Sequence, residues 1–315
     1  MNETSHSRET RLPLLPPVAA AASDTMAKAI AHVLSVQEEN GAWSRLKGEF
    51  PAEVEPTSWA VKVFSGLSRE EKAVERGLSF IVTDQREDGS WNGNSAHTAF
   101  AICALVEARK GADAIARAVE YLRGIQGGEG GFTRIGREGQ TLTVYTANVL
   151  FALAAAGLAK GDPMVDKALS WLRSRQGKDG GFAMTGEGDS IALATTWSVR
   201  ALRALGALAS DSVVKMAREW LLRVQKASGG FSMTPEARED PEVTSLAICA
   251  LLGLPHMEKT LERAVTYLCG AQESDGSFTS SMPMQFNNVA KKNTQTTLFV
   301  IWALSEWGSA PPPQA

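Results

Sequence analysis

QREDGSW, residues 85–91, is one of six near-copies of a single pattern in this chain. The others are QEENGAW (37–43), QGGEGGF (126–132), QGKDGGF (176–182), QKASGGF (225–231) and QESDGSF (272–278). Each places an aromatic residue six positions after a glutamine, with a glycine and one further small residue just before the ring. Successive glutamines stand between 41 and 50 residues apart, so the repeat covers nearly the whole chain. A period of this size marks a repeat architecture, in which each unit buries its apolar face only against its neighbours.

Each unit carries two helical patterns. The first ends at the glutamine, as in AIARAVEYLRGIQ and MVDKALSWLRSRQ, with apolar residues at three- and four-residue spacing and charges elsewhere. That is an amphipathic outer helix. Five residues before the glutamine lies a ring (Phe80, Tyr121, Trp171, Trp220, Tyr267), with His32 standing in for it in the first copy. The glycine turn follows. The glutamine side chain there satisfies loose backbone groups or bonds the next unit's turn, and the motif aromatic packs beneath it.

The second pattern begins at an in-register threonine: Thr57, Thr98, Thr146, Thr195, Thr244 and Thr297. Stretches such as HTAFAICAL and VTSLAICAL are apolar on nearly every side, which predicts helices buried all round. The threonine suits a cap or a first helical turn. Six buried helices inside six amphipathic ones predict an all-α (α/α)6 toroid over residues 25–309. Residues 1–24 are expected to form a mobile arm and 310–315 a proline-rich tail.

A net charge of −3 with dispersed basic residues speaks against a nucleic-acid partner. Three cysteines (Cys103, Cys249, Cys269) without disulfide-like spacing fit a reducing, cytoplasmic setting. No run is long enough to span a membrane.

The glutamine-to-tryptophan repeat, with its ring five residues ahead and its threonine at the inner helix, resembles that of squalene and oxidosqualene cyclases and protein prenyltransferase β subunits. The resemblance covers roughly residues 26–308. Both branches place their chemistry at the amino-terminal ends of the inner helices. In the cyclases an acidic DxDDTA or DCTAE motif overlaps the threonine, with the proton donor two residues before it. Here that position holds Glu55, Ala96, Val144, Leu193, Glu242 and Gln295, and no copy reproduces either motif. The nearest are Glu53-Val-Glu55-Pro-Thr57 and Asp240-Pro-Glu242-Val-Thr244. Paired carboxylates push one pKa upward, as an acid requires, but acids at a helix start also simply complement its dipole.

The zinc branch implies Asp-x-Cys at one helix start and His-Thr at another. His97-Thr98 matches the second, whereas Glu55-Pro-Thr57 offers no thiolate, so zinc is not expected and His97 is read as a cavity-lining polar residue. Steps of four and seven residues return to one helical face. On that face lie Trp59, Phe100, Asn148, Trp197 and Phe299, then Lys62, Phe151, Arg200 and Trp302, with Tyr145 beside it. Either these line a cavity for an apolar substrate whose carbocations the rings stabilise, or they fill the toroid's centre. Lys62 and Arg200 find partners in Glu55 and Glu242, or meet a diphosphate, which would bring in Mg2+.

The resemblance thus implies a protein acting on an isoprenoid in its central cavity. As a cyclase it would use Glu55 or Glu242 as acid, with Glu53, Asp240 and Tyr145 assisting, and would contact membranes peripherally to take up substrate. Two alternatives stay open: a non-catalytic toroid binding an isoprenoid, lipid or protein partner, and a prenyltransferase β-like subunit working with a separate α subunit.

Overall fold

The computed structural model describes residues 17–281 and 290–310. Among these residues the outer helices are α1 (Pro17–Ser35), α3 (Glu71–Thr83), α5 (Ala112–Ile125), α7 (Pro163–Ser174), α9 (Ser212–Arg223) and α11 (Glu258–Gly270). The inner helices are α2 (Val54–Gly66), α4 (Ser95–Glu107), α6 (Thr143–Ala155), α8 (Ala192–Ala204), α10 (Pro241–Leu251) and α12 (Thr294–Ser309). Two two-residue antiparallel pairs complete the elements: β1 (Trp43–Ser44) with β2 (Ala52–Glu53), and β3 (Thr279–Ser280) with β4 (Lys291–Lys292).

Each inner helix packs on the next, and α12 returns to α2, so the expected toroid is a closed ring. Helix α1 closes the outer layer against α11 and α12. It begins at Pro17, so residues 17–24, expected in the arm, are helical instead. Proline is tolerated in a first helical turn, and the alanine run after it has the highest helix propensity. Residues 1–16 of that arm, and 311–315 of the tail, lie outside the described residues.

The glutamines bind the units together by one repeated device. Gln85 Nε2 donates to the Gly89 carbonyl of its own turn (3.0 Å) and to the Ala114 carbonyl at the start of the next outer helix (2.9 Å). Gln126 reaches Gly130 and Met164 in the same way, and Gln176 reaches Gly180 and Val213. Gln272 closes the circle on Thr25 of α1 at 2.8 Å. The turn glycine is obligatory in this arrangement. Gly41 has φ +87°, and a Cβ there would sit 2.7 Å from the Arg76 carbonyl oxygen. The small residue after it makes room for the ring of the next outer helix: a Cβ on Gly131 would lie 2.6 Å from Trp171.

The threonines take the first-turn role rather than capping. Thr146 Oγ1 donates to the Leu142 carbonyl (3.0 Å) and accepts the backbone N–H of Phe132 (2.9 Å). Thr57, Thr98, Thr195, Thr244 and Thr297 accept from Trp43, Trp91, Phe182, Phe231 and Phe278 in the same way. Each hydroxyl thus anchors a fully buried motif aromatic to the amino-terminal end of an inner helix. Two residues beyond that aromatic, the chain crosses to the preceding inner helix and caps it. Thr294 N donates to the Arg45 carbonyl (2.8 Å), Ser95 N to Arg134 (3.0 Å) and Thr143 N to Met184 (2.8 Å). These crossings bring loop residues to the rim of the central opening.

Candidate functional site

A cavity of about 440 Å3 opens at the amino-terminal ends of the inner helices. Its floor is Phe100, Asn148, Trp197, Leu246 and Phe299, all placed two residues after a repeat threonine. Its wall carries Glu55, Ala96, Val144, Leu193, Glu242 and Gln295, the six residues two before a threonine. The shared face expected from sequence therefore lines the cavity at these two levels, Trp59 excepted. Arg45, Arg134 and Met184 form the loop level above, with His97 and Tyr145 beside them.

The third level of the expected face does not reach the cavity. Trp59, although two residues after Thr57 like the floor residues, does not line the cavity either; its ring centroid is 4.7 Å from Phe299, 5.0 Å from Trp302, 5.2 Å from Phe100 and 5.8 Å from Trp197. Phe151 joins this plug against Trp197 and Trp302. Lys62 and Arg200 sit over the Trp302 ring, at 4.9 and 4.0 Å. Their carboxylate partners are Glu107 for Lys62 (3.4 Å) and Glu306, gripped by two nitrogens, for Arg200 (3.1 and 3.3 Å). Glu55 and Glu242, expected as those partners, stand at the other end of the helices. The reason is geometric: five residues past the threonine is two turns from the wall, about 10 Å along the axis at 1.5 Å per residue. The aromatic face thus divides into layers, rings that fill the centre below and rings that line a cavity above.

The two acidic pairs have opposite electrostatics. Glu55 forms an ion pair with Arg45 and accepts from Gln295 Nε2 (3.2 Å), with His97 Nε2 3.6 Å away. Burial pushes its carboxyl up, but Arg45, His97 and the Gln295 hydrogen bond outweigh burial and hold it below the ordinary carboxylate value. Glu53 also pairs with Arg45, at 3.2 Å. Arg45 itself is 2% exposed and hydrogen-bonds Gln295 as well, joining the first inner helix to the last. Arg45 thus clasps Glu53, Glu55 and Gln295 together, and the Glu55 carboxyl stays ionised at neutral pH.

Glu242 is 3% exposed and faces no cation within ion-pair distance among the described residues. Burial raises its pKa to about 8; the Thr296 hydrogen bond opposes the shift and the Asp240 charge adds to it. Oε2 accepts from Thr296 Oγ1 at 2.6 Å, whereas Oε1 has no hydrogen-bond partner among the described residues. Asp240, two residues earlier, does not share that proton. It caps α10 by accepting from the N–H groups of Glu242 (2.8 Å) and Val243 (3.4 Å), and is bound by the Ser280 hydroxyl at 2.9 Å. Burial raises the Asp240 carboxyl as well, against those hydrogen bonds.

The remaining cavity groups are neutral apart from one. His97 is held below its usual value by burial, against the pull of Glu55, and its Nδ1 lies 3.2 Å from Asn92 Nδ2. Burial raises the Tyr145 phenol, which stays protonated. Asn148 is 4% exposed and leaves its Oδ1 without a donor among the described residues. Arg134 is exposed at the rim and makes no ion pair among the described residues. Arg45, Arg134 and Thr296 escaped the sequence reading. Arg45 and Arg134 were marked, since both stand two residues after a motif aromatic, as does Met184.

Among the described residues no three His, Cys, Asp or Glu side chains gather as a metal site, and no helix is long and apolar enough to cross a membrane. The family model for the C-terminal domain of squalene-hopene cyclases matches residues 95–233, and that for the prenyltransferase α/α toroid matches residues 183–309. A drimenyl diphosphate synthase from Streptomyces showdoensis is 28% identical over 159 residues. That stretch is 47% of this chain and 30% of the relative, so the matched part is under a third of that protein's length. A variant of the type II terpene cyclase MstE from Scytonema, solved with its product merosterolic acid A, superposes with a TM-score of 0.75 at 17% identity. It covers 94% of this chain and 99% of its own. A variant of MstE solved with its substrate geranylgeranyl dihydroxybenzoate gives the same TM-score at 16% identity, over 93% of this chain and 99% of its own. At these identities the superpositions establish the fold and leave the chemistry to the residues.

Proposed function

We propose that this chain, whose parts match the family models of squalene-hopene cyclase C-terminal domains and of prenyltransferase α/α toroids, cyclises an isoprenoid in the cavity, with Glu242 as the acid. The observation that carries this reading is the Glu242 carboxyl: buried on the cavity wall without an ion-pair partner, its pKa raised by that burial, and with one oxygen free of hydrogen bonds among the described residues. The reaction begins when an alkene takes the Glu242 proton. The C=C electrons form the new C–H bond, the O–H electrons stay on the carboxylate, and a tertiary carbocation results. A second alkene attacks that cation and closes a ring. Loss of a proton to water from a neighbouring carbon gives a neutral isomer, and Glu242 is reprotonated from solvent.

The rest of the cavity suits such an intermediate. Phe100, Trp197 and Phe299 line it, and aromatic ring faces attract cations electrostatically. The Asn148 carbonyl adds a fixed dipole with no competing donor. Negative charge left on Glu242 after transfer is met by the Thr296 hydroxyl.

The test is product analysis by mass spectrometry with farnesyl diphosphate, geranylgeranyl diphosphate and squalene, with and without magnesium. A cyclised isomer that is made by the native protein and absent with Glu242→Gln supports the reading. Substrates returned unchanged by the native protein, or the same product from Glu242→Gln, would sink it.

A further inference from the structure

Glu55 and Glu242 share one repeat position, and each is met by the residue one place before the repeat threonine on the next inner helix. On α4 that residue is His97, whose Nε2 lies 3.6 Å from Glu55 Oε2. On α12 it is Thr296, whose hydroxyl reaches Glu242 Oε2 at 2.6 Å. The other four inner helices carry Ala96, Val144, Leu193 and Gln295 at the acid position, so these two pairings are the ones that involve a carboxylate.

Thr296 is built to order a carboxyl. It is fully buried in the first turn of α12, and its N–H donates to Asn293 Oδ1 at 2.7 Å. Its branched side chain has little rotamer freedom. A threonine hydroxyl in a helix commonly donates to a carbonyl one turn back, as Thr297 does to Asn293 at 3.0 Å. Thr296 instead gives its one proton to Glu242 Oε2 and has no second acceptor among the described residues. Oε2 is therefore the carbonyl oxygen of the protonated acid. Oε1, which has no hydrogen-bond partner among the described residues, carries the proton on the cavity wall.

From this geometry we propose that Thr296 is the positioning residue of the acid, holding Oε2 so that the proton stays on Oε1 and is given from there. The inference rests on the cyclase reading for its effect on turnover, and on the hydrogen bond alone for the placement of the proton. A hydrogen bond to an ionised acceptor is roughly twice as strong as one between neutral groups, so this bond strengthens as the proton leaves. It equally favours the ionised form, against the burial that raises Glu242 to about 8. The other charges felt there are Asp240 on the same helix and Glu55 on α2, which raise it, and Arg45, which lowers it. All three remain when Thr296 is changed.

The experiment compares Thr296→Val with Thr296→Ser in the full chain, with Thr296→Ala in place of valine should that variant not fold. Turnover is measured on whichever of farnesyl diphosphate, geranylgeranyl diphosphate and squalene the native protein cyclises. The carboxyl is followed without substrate, by infrared difference spectra of each protein against the same protein carrying Glu242→Gln. Valine is expected to lower kcat about tenfold, the gap between a charged and a neutral hydrogen bond, and to leave KM unchanged. It should also carry the alkaline limb of the rate above its native position and raise the C=O stretch of Glu242, whose carbonyl oxygen has lost its donor. Serine should restore all three. A limb and a band that stay in place in Thr296→Val overturn the proposal, even if kcat falls, because a merely structural role moves neither. Serine behaving as valine does overturns it too. Failure of the cyclase reading looks different: the native protein makes no cyclised product, yet the band moves with valine and returns with serine.

Discussion

Glu242 Oε2 and Thr296 Oγ1 lie 2.6 Å apart across the seam between α10 and α12, and this is the carboxyl's one side-chain hydrogen bond among the described residues. Glu55, at the equivalent helix position, is instead held by Arg45, Gln295 and His97. Two glutamates at the same place in the repeat thus differ in protonation because one faces a guanidinium and the other a hydroxyl.

Replacing Glu242 with glutamine keeps the shape and removes the proton. Turnover should fall by about 10²–10⁴-fold, the usual worth of a positioned acid. The native rate should stay level on the acid side and decline above about pH 8, where the carboxyl ionises. A pH–rate profile for cyclised product checks both the loss and the position of the limb.

The same group links pH to stability. Its folded-state pKa, about 8, lies above the ordinary value of 4.5, so its contribution is fully present below about 4.5 and is lost as pH rises through 8. The native protein should become less stable across that window by at most roughly 5 kcal/mol, at 1.36 kcal/mol per pKa unit. Glu242→Gln should flatten the slope in denaturant melts at pH 5, 7 and 9.

Arg45 behaves as a clasp. Arg45→Met leaves Glu55 and Glu53 without their cation in a nearly buried site, and should cost about 3–5 kcal/mol. Lysine should rescue little, because its three donors sit on one nitrogen, whereas the three acceptors are met by three separate nitrogens of the planar guanidinium. Thermal melts of Arg45→Met, Arg45→Lys and Glu55→Gln would measure this.

Each repeat threonine anchors one aromatic. Thr146→Val keeps the shape but strands the Phe132 N–H, and should cost about 1–3 kcal/mol, the penalty of an unsatisfied buried group. The loss would show in chemical denaturation, with ligand affinity unchanged.

Arg200 lies beneath the plug, paired with Glu306. Arg200→Met should lower the melting temperature without changing the affinity for farnesyl diphosphate. Weaker binding of the diphosphate would return Arg200 to the site.

Much of the fold was legible. The glutamine turns, the outer helices and the threonine register all follow from spacing, because a repeated unit writes the same contact six times. The start of α1 was misread, since Pro17 looks like a helix breaker unless it occupies the first turn. The wall of the cavity, and its floor apart from Trp59, coincide with the residues two before and two after the threonines. His97, read from sequence as a cavity-lining residue, and Tyr145, read as beside the aromatic face, both line the cavity.

By itself the sequence determined the repeat, the toroid and the two levels of side chains that bound the cavity, because helical periodicity and burial are local properties of each unit. Only the tertiary structure decided which acid holds a proton, where the cations go, and how deep the cavity runs. Those depend on residues brought together from distant repeats. Arg45 meets Gln295 across the ring closure, Glu242 meets Thr296, and Trp59 meets Trp302 on the axis. A pKa is set by the charges and burial around a group, and no spacing along one helix contains them.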